Sequence, residues 1–343
     1  MSGSERLAKL MGAAGLMLAA ALTAGGTASG QTTPVAVTAA PVAPNGAAKG
    51  ARIGKLTWLC GVALSAPSPK FGGFSGLVVS ADGARMTAVT DEGSFLTADL
   101  TYRDGCLTGL ANARIGGLPG ASGASLAGKR NADAEGMAAA ATGRDGALYV
   151  SFERRHRILK YALRDGVILG PPQNISLPAA AKLSSNQGLE AIAVLQGGAY
   201  KGAIVTFAES GPRSAPENAP ATGWMLHGGK THALSIQLRD GFKITDIASL
   251  PNGDLIVLER FYKGLLQGVH MRIRRVAAAT VKPGAMLDGE TLIQMGGYGG
   301  AIDNMEGVAV HANADSETII TLISDDNFNS LQRTLLMQFA LPR

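Results

Sequence analysis

Along most of the chain, short apolar runs alternate with turns rich in Gly, Asp, Asn or Pro. Runs of this length, bounded by such turns, predict strands joined as hairpins rather than helices. The hairpins repeat. The first opens at Ser75-Gly76, turns at Ala81-Asp82-Gly83 and returns over 85–90 to Asp91-Glu92. The second opens at Glu135-Gly136, turns through Gly143-Arg144-Asp145-Gly146 and returns over 147–152 to Glu153-Arg154. The third runs from Glu190-Ala191 through a Gly-rich turn to 203–208 and Glu209. The fourth runs from Asp246-Ile247 through Pro251-Asn252-Gly253-Asp254 to 255–258 and Glu259-Arg260. The fifth runs from Glu306-Gly307 through a polar turn to 318–324 and Asp325-Asp326. The openings fall at 75, 135, 190, 246 and 306, in steps of 60, 55, 56 and 60 residues. Further strand-like runs follow at 95–100, 157–163, 271–276 and 335–341.

Four strands per repeat of this length is the pattern of a propeller blade. The reading is therefore an all-β protein, a β-propeller of five four-stranded blades. Six blades also fit, because 101–133 and 210–243 are long enough to hold more strands. A two-sheet sandwich accounts for the strands but gives no reason for equal steps. The fifth repeat stops at Arg343 after its third strand, whereas an unassigned strand-like run, 55–64, precedes the first repeat. That run is predicted to close the ring as the outer strand of the last blade, beside 335–341. Closure removes an exposed sheet edge.

The ends change the picture of where the protein works. Arg6 and Lys9 precede an apolar run from Leu10 to Ala24, with Gly26, Ala28 and Gly30 behind it. This predicts a signal peptide over 1–30, cut between Ala28 and Gln31. The run is short for a membrane span, so none is expected after cleavage, and the location is periplasmic or secreted. Residues 31–51 are rich in Ala, Pro, Thr and Gly without periodicity and read as a flexible linker. The propeller domain then covers 52–343. In an oxidising compartment Cys60 and Cys106, the two cysteines of the chain, form either a disulfide or a pair of buried thiols.

Composition narrows the classes. Hydrophobic residues are 46% of the 343, which excludes a disordered chain. The 46 glycines follow no Gly-X-Y period and belong to the turns. The 31 basic and 26 acidic residues give +5, scattered without a run, which excludes the concentrated basic face of a nucleic-acid binder.

The acids carry the candidate chemistry. In a hairpin the start of one strand lies beside the end of the next. Glu135 thus neighbours Glu153, Glu190 neighbours Glu209, Asp246 neighbours Glu259, and Glu306 neighbours Asp325. In the first repeat the pair is Ser75 with Asp91 or Glu92. The innermost strands of a propeller line its axis, so these pairs are predicted to gather at one mouth of the central channel. Crowded carboxylates repel one another and need compensation. Arg154, Arg155 and Arg260 follow the acids directly. Ca²⁺, which prefers six to eight oxygen ligands, is the other source of compensation. The predicted ligands are Glu135, Glu153, Glu190, Glu209, Glu259, Glu306, Asp325 and Asp326. Asn186, Gln187, Asn304 and Asn327 add neutral oxygens. Several catalytic templates are absent: Gly73-Phe74-Ser75-Gly76 lacks the spacing of a nucleophile elbow, and there is no HExxH, Walker loop or CxxC.

Asp133-Ala134-Glu135-Gly136-Met137, Leu148-Tyr149-Val150-Ser151-Phe152-Glu153-Arg154, Asn186-Gln187-Gly188-Leu189-Glu190-Ala191-Ile192, Asp303-Asn304-Met305-Glu306-Gly307-Val308 and Ser324-Asp325-Asp326-Asn327-Phe328 follow in order. This series resembles the family described as esterase-like activity of phytase, over about 74–339. The resemblance implies an exported propeller with an acidic, metal-dependent site and hydrolysis of ester or phosphoester bonds. The chain departs from the family pattern at Ser75 and at Asp246-Ile247. Two functions fit. One is a Ca²⁺-assisted phosphoesterase or esterase with Glu135, Glu306 and Glu190 as catalytic carboxylates. Arg154, Arg155, Arg260, Asn304 and Asn327 would then bind a small anionic or ester substrate. The other is a non-catalytic propeller that binds a ligand or protein and is pinned by a structural metal. A monomer is expected in either case.

Overall fold

Strands form where the hairpin pattern places them. The computed structural model describes residues 31–342 apart from 141–145, 165–166, 178–182, 184–187, 263, 265–267 and 297–301. The predicted signal peptide, and Asn186 and Gln187, lie outside the described residues. Four strands precede the first hairpin: β1 (Thr32–Pro34), β2 (Thr38–Val42), β3 (Arg52–Ile53) and β4 (Leu56–Ser65). Then follow β5 (Phe74–Val79), β6 (Arg85–Thr90), β7 (Ser94–Arg103) and β8 (Cys106–Gly117), with the short helix α1 (Lys129–Ala132) behind them. The second group is β9 (Ala134–Ala140), β10 (Gly146–Phe152), β11 (Arg157–Arg164) and β12 (Val167–Ile175). The third is β13 (Leu189–Val194), β14 (Ile204–Ala208), β15 (Ala221–His227) and β16 (Lys230–Ile236). The fourth is β17 (Lys243–Ser249), β18 (Leu255–Tyr262), β19 (Val269–Val276), β20 (Met286–Leu287) and β21 (Glu290–Gly296). The last is β22 (Asn304–Ala312), β23 (Thr318–Asp325) and β24 (Thr334–Leu341).

These strands make five sheets, ordered β1-β8-β7-β6-β5, β12-β11-β10-β9, β13-β14-β15-β16-β20, β17-β18-β19-β21 and β2-β4-β24-β23-β22. The inner strands β5, β9, β13, β17 and β22 each touch the next, and β22 returns to β5. The protein is a five-bladed β-propeller. The stretches that left room for a sixth blade hold strands of blades one and three, β8 and β15–β16, together with α1.

Each blade is covered on both faces, so its strands read as nearly continuous apolar runs. Along β14, Val205 and Phe207 pack toward blade four while Ile204 packs toward blade two. Five such inter-blade cores hold the ring. Each fully buried large apolar side chain in them contributes about 1.5–3 kcal/mol. Where the inner strands converge, space is short: a Cβ on Gly136 would sit 2.5 Å from the carbonyl oxygen of Glu190 in the next blade.

The seam between blades five and one is fastened three times. First, β4 pairs antiparallel with β24, from Thr57 opposite Ala340 to Leu64 opposite Thr334, which is the predicted closure. Second, a Cys60–Cys106 disulfide with Cα atoms 5.6 Å apart joins β4 to β8 across the seam. Third, β1 adds to β8 in blade one while β2 adds to β4 in blade five. The expectation of a flexible linker over 31–51 is therefore corrected. This segment straps the two terminal blades together. It lacks a hydrophobic period because its edge strands need one neighbour and stay largely exposed. Pro34 and Pro41 sit in such edge strands, where prolines are tolerated.

Long connections such as 66–73, 118–133, 209–220 and 326–333 gather at one end of the ring, and tight turns such as 104–105 and 228–229 at the other. At the tight-turn end the channel widens to a cavity of about 990 Å³ walled by Val79, Ala139, Val194, Ala248 and Val310 among others. The acids lie at the long-loop end.

Candidate active site

One local feature, repeated five times, builds the mouth. Every inner strand carries a β-bulge at the same height, where its register with the second strand slips by one residue. The residues skipped are Ser75, Glu135, Glu190, Thr245 and Glu306. The residue before each, Phe74, Ala134, Leu189, Ile244 and Met305, is fully buried. A bulge adds one residue and re-aims its side chain. An apolar anchor and a polar residue at the bulge therefore follow one another in every blade, with Gly or Ala next in four of them and Asp246 in blade four. The residue just past the core end of the second strand faces the same opening: Asp91, Glu153, Glu209, Arg260 and Asp325.

Ser75, Asp91, Glu135, Glu153, Glu190, Glu209, Glu306 and Asp325 line a recess of about 230 Å³ with Arg260, Asn304 and Asn327. That is seven carboxylates and, among the described residues, one lining cation. Burial, then the charges of Glu190, Asp133, Glu153 and Glu306, push the Glu135 carboxyl well above its ordinary range. Burial does the same for Glu190, reinforced by Glu209, Glu306 and Glu153 and opposed by Arg260. Glu306 and Glu153 are also raised, mainly by burial. The Arg260 Nη1 lies 3.2 Å from Glu306 and donates to the Asn304 Oδ1 at 2.7 Å, while Nη2 is 3.8 Å from Glu209.

Blade two has a further acid that the sequence reading left without a role. Asp133, Glu135 and Glu153 each offer an oxygen, all within 4.8 Å of one another. Asp133 is buried and ion-paired to Lys129 at 2.8 Å and to Arg154 at 2.6 Å. Its place two residues before Glu135 was the available signal. Lys129 also pairs with Asp91.

Five of the residues expected at the mouth lie elsewhere. Glu259 is fully buried in blade four, with Arg272 at 2.7 Å and Arg274 also paired to it. It occupies the core position that Thr90, Phe152, Ala208 and Ser324 fill in the other blades, one residue before the mouth. Its hairpin neighbour Asp246 is likewise one residue past the bulge, fully buried, accepting the N–H groups of Ile247 and Val308 at 2.8 Å each. Asp326 turns into a loop and accepts the N–H groups of Gly73 and Phe328 at 3.0 Å and the Thr334 hydroxyl at 2.9 Å. Arg154 is spent on Asp133, and exposed Arg155 reaches Asn131. Arg154 and Arg155 do not line the mouth. Glu135, Glu153, Glu190, Glu209, Glu306, Asp325, Arg260, Asn304 and Asn327 line the recess together.

The crowding has a pH signature. Burial pushes the Asp325 carboxyl up to about 7, although it accepts the Asn327 N–H. A folded pKa above the unfolded value means that the folded state holds the proton more tightly. The contribution is complete below about pH 4 and is lost as pH rises through 7. Without divalent cations, the melting temperature should fall from pH 5 to pH 8. Asp325→Asn should flatten that slope in thermal melts.

A closed five-bladed propeller with an acidic mouth and an embedded arginine defines the class. The chain belongs to the phytase-like family: the profile described as esterase-like activity of phytase matches residues 69–328. No curated protein matches the sequence. Among solved structures, the fold is similar to an endo-arabinase from Bacteroides thetaiotaomicron, with TM-score 0.48 and 11% identity over 80% of this chain and 95% of that one. It is also similar to a gluconolactonase from Xanthomonas campestris, with TM-score 0.38 and 13% identity over 92% and 98%. Among the described residues no helix is long and apolar enough to cross a membrane.

Proposed function

We propose that the protein is an exported, monomeric hydrolase of ester or phosphoester bonds, working with a divalent cation at the acidic mouth. The observation that carries this reading is the in-register recurrence of acids at the bulges. The fold does not require them, since Ser75 and Thr245 occupy the same bulge in blades one and four. The signal-like N-terminus and the Cys60–Cys106 bond support export.

The donors are all hard oxygens in a crowded, mutually repelling set, which suits Ca²⁺. Glu135 and Glu153, with Asp133, would hold it. When bound, such an ion supplies charge compensation and polarises a substrate oxygen. The chain's own residues do the rest. Arg260, braced by Glu306 and Asn304, binds the anionic oxygens of the substrate, and the Asn327 amide adds a donor. Glu190 belongs to blade three, between the acid cluster of blade two and the arginine of blade four. Burial, reinforced by the charges of Glu209, Glu306 and Glu153, raises its carboxyl well above the ordinary range. It takes a proton from the attacking water and returns one to the leaving oxygen.

A second reading has its own support. Arg260 with Glu306 and Glu209, and Asp133 with Lys129 and Arg154, form ion-paired groups of the kind a structural ring uses. In that reading the propeller binds a ligand or protein and the metal is a structural pin. Purified mature protein, offered aryl phosphates and aryl acetates with Ca²⁺ or with chelator, separates the two. Calcium-dependent turnover supports the hydrolase. Stabilisation by calcium without turnover, about 2.7 kcal/mol at a hundredfold excess over Kd, supports the binding propeller. Neither effect would overturn both.

A further inference from the structure

The geometry points to Phe328 as a specificity-determining residue at the rim of the mouth, a platform that selects substrates whose ester or phosphoester oxygen carries an aromatic ring. This rests on the hydrolase reading above and adds the chemistry of the group next to the scissile bond.

Phe328 directly follows Asn327, which lines the mouth. Its ring lies over Gly73, with Cε2 2.4 Å and Cζ 2.8 Å from the point where a Cβ on that glycine would sit. The Asp91 Oδ1, an oxygen of the mouth lining without a hydrogen-bond partner, is 2.6 Å from the same point. Ring edge and carboxylate are therefore neighbours, and Gly73 is the residue that gives the ring its place. The backbone there is held against preference. Asn327 and Phe328 have φ of 49° and 50°, and a bulky side chain in this left-handed region is an outlier. The turn persists because two acids clamp it: Asp325 accepts the Asn327 N–H at 2.6 Å, and Asp326 accepts the Phe328 N–H at 3.0 Å. Asp326 also accepts the Gly73 N–H, which locks the glycine beneath the ring.

The result is an immobilised aromatic that remains 42% exposed. Two clamping carboxylates and a strained backbone hold it out of the core rather than in it. The recess itself is lined by polar side chains, so an anionic head in the recess leaves its substituent to meet this rim. An aromatic ring stacked there gains what aromatic pairs gain beyond area burial.

The test uses full-length mature protein with Ca²⁺ and two non-hydrolysable probes, phenylphosphonate and methylphosphonate. The parent should bind phenylphosphonate roughly 3- to 10-fold tighter by calorimetry. Phe328→Ala should abolish that preference and leave methylphosphonate binding unchanged, and Phe328→Tyr should restore it. Gly73→Ala, which displaces the ring, should also abolish it. For hydrolysis, KM for phenyl esters should rise in Phe328→Ala with kcat unchanged, while ethyl esters respond to neither. Equal binding of the two probes by the parent, or equal loss of both in Phe328→Ala, overturns the platform. A Phe328-dependent preference in a protein without turnover sinks the hydrolase and keeps the platform. Turnover indifferent to Phe328 does the reverse.

Discussion

Glu190→Gln is expected to lower kcat by about 10²- to 10⁴-fold, the usual contribution of a positioned acid or base. The amide keeps the shape of the side chain and removes its proton chemistry. Thermal stability at pH 8 should hold or rise, because the enclosed carboxylate is destabilised there by burial and by Glu209, Glu306 and Glu153. The variant should also lose the limb of the pH–rate profile that reports its ionisation. Glu135→Gln should behave differently, by raising the Ca²⁺ concentration needed for half-maximal rate. Steady-state kinetics across pH and calcium concentration, with melts on the same samples, check all four statements. A Glu190→Gln enzyme with parental kcat removes Glu190 from the chemistry.

Glu259→Ala should cost about 3–5 kcal/mol of folding stability, the usual penalty for leaving a buried charge without its partner. Arg272 and Arg274 both converge on this carboxylate from β19, and both are almost wholly buried. Asp240 at 2.9 Å from Arg272 and Asp288 at 3.1 Å from Arg274 keep part of the compensation, but both lie toward solvent. Denaturant unfolding of parent and variant measures the loss. The sign is opposite to that expected for the mouth acids, although Glu259 and Glu153 look alike in sequence, each followed by an arginine. A change below 1 kcal/mol would mean that the two arginines find other partners.

That contrast shows where the sequence was legible. Repeat spacing and strand count revealed the blades and their closure, because every blade buries both faces and so writes the same apolar runs five times. The phase of blade four was harder to see. Aligning repeats by their acids pairs Asp246 and Glu259 with Glu135 and Glu153. Aligning them by the buried anchors Phe74, Ala134, Leu189, Ile244 and Met305 puts Thr245 at the bulge and Arg260 at the mouth instead. A bulge changes which face a residue meets by one position, and composition carries no trace of that step. Asp326 was misplaced for a related reason: adjacent residues at a strand end leave in opposite directions, so Asp325 enters the mouth while Asp326 closes the loop. The strap at β1 and β2 was invisible because an exposed edge strand has no apolar period to read.

The fastened seam also sets an order of events in biosynthesis. β4 is made early, yet its partner β24 ends at Leu341, so the strand waits for almost the whole chain. Pairings so distant in sequence are slow to form, and an unpaired strand is open to foreign partners meanwhile. Cys106 is only 46 residues from Cys60. Once oxidised, that pair moors the waiting strand to a blade that is already complete. The same bond still ties blade five to blade one once the final blade has closed the ring.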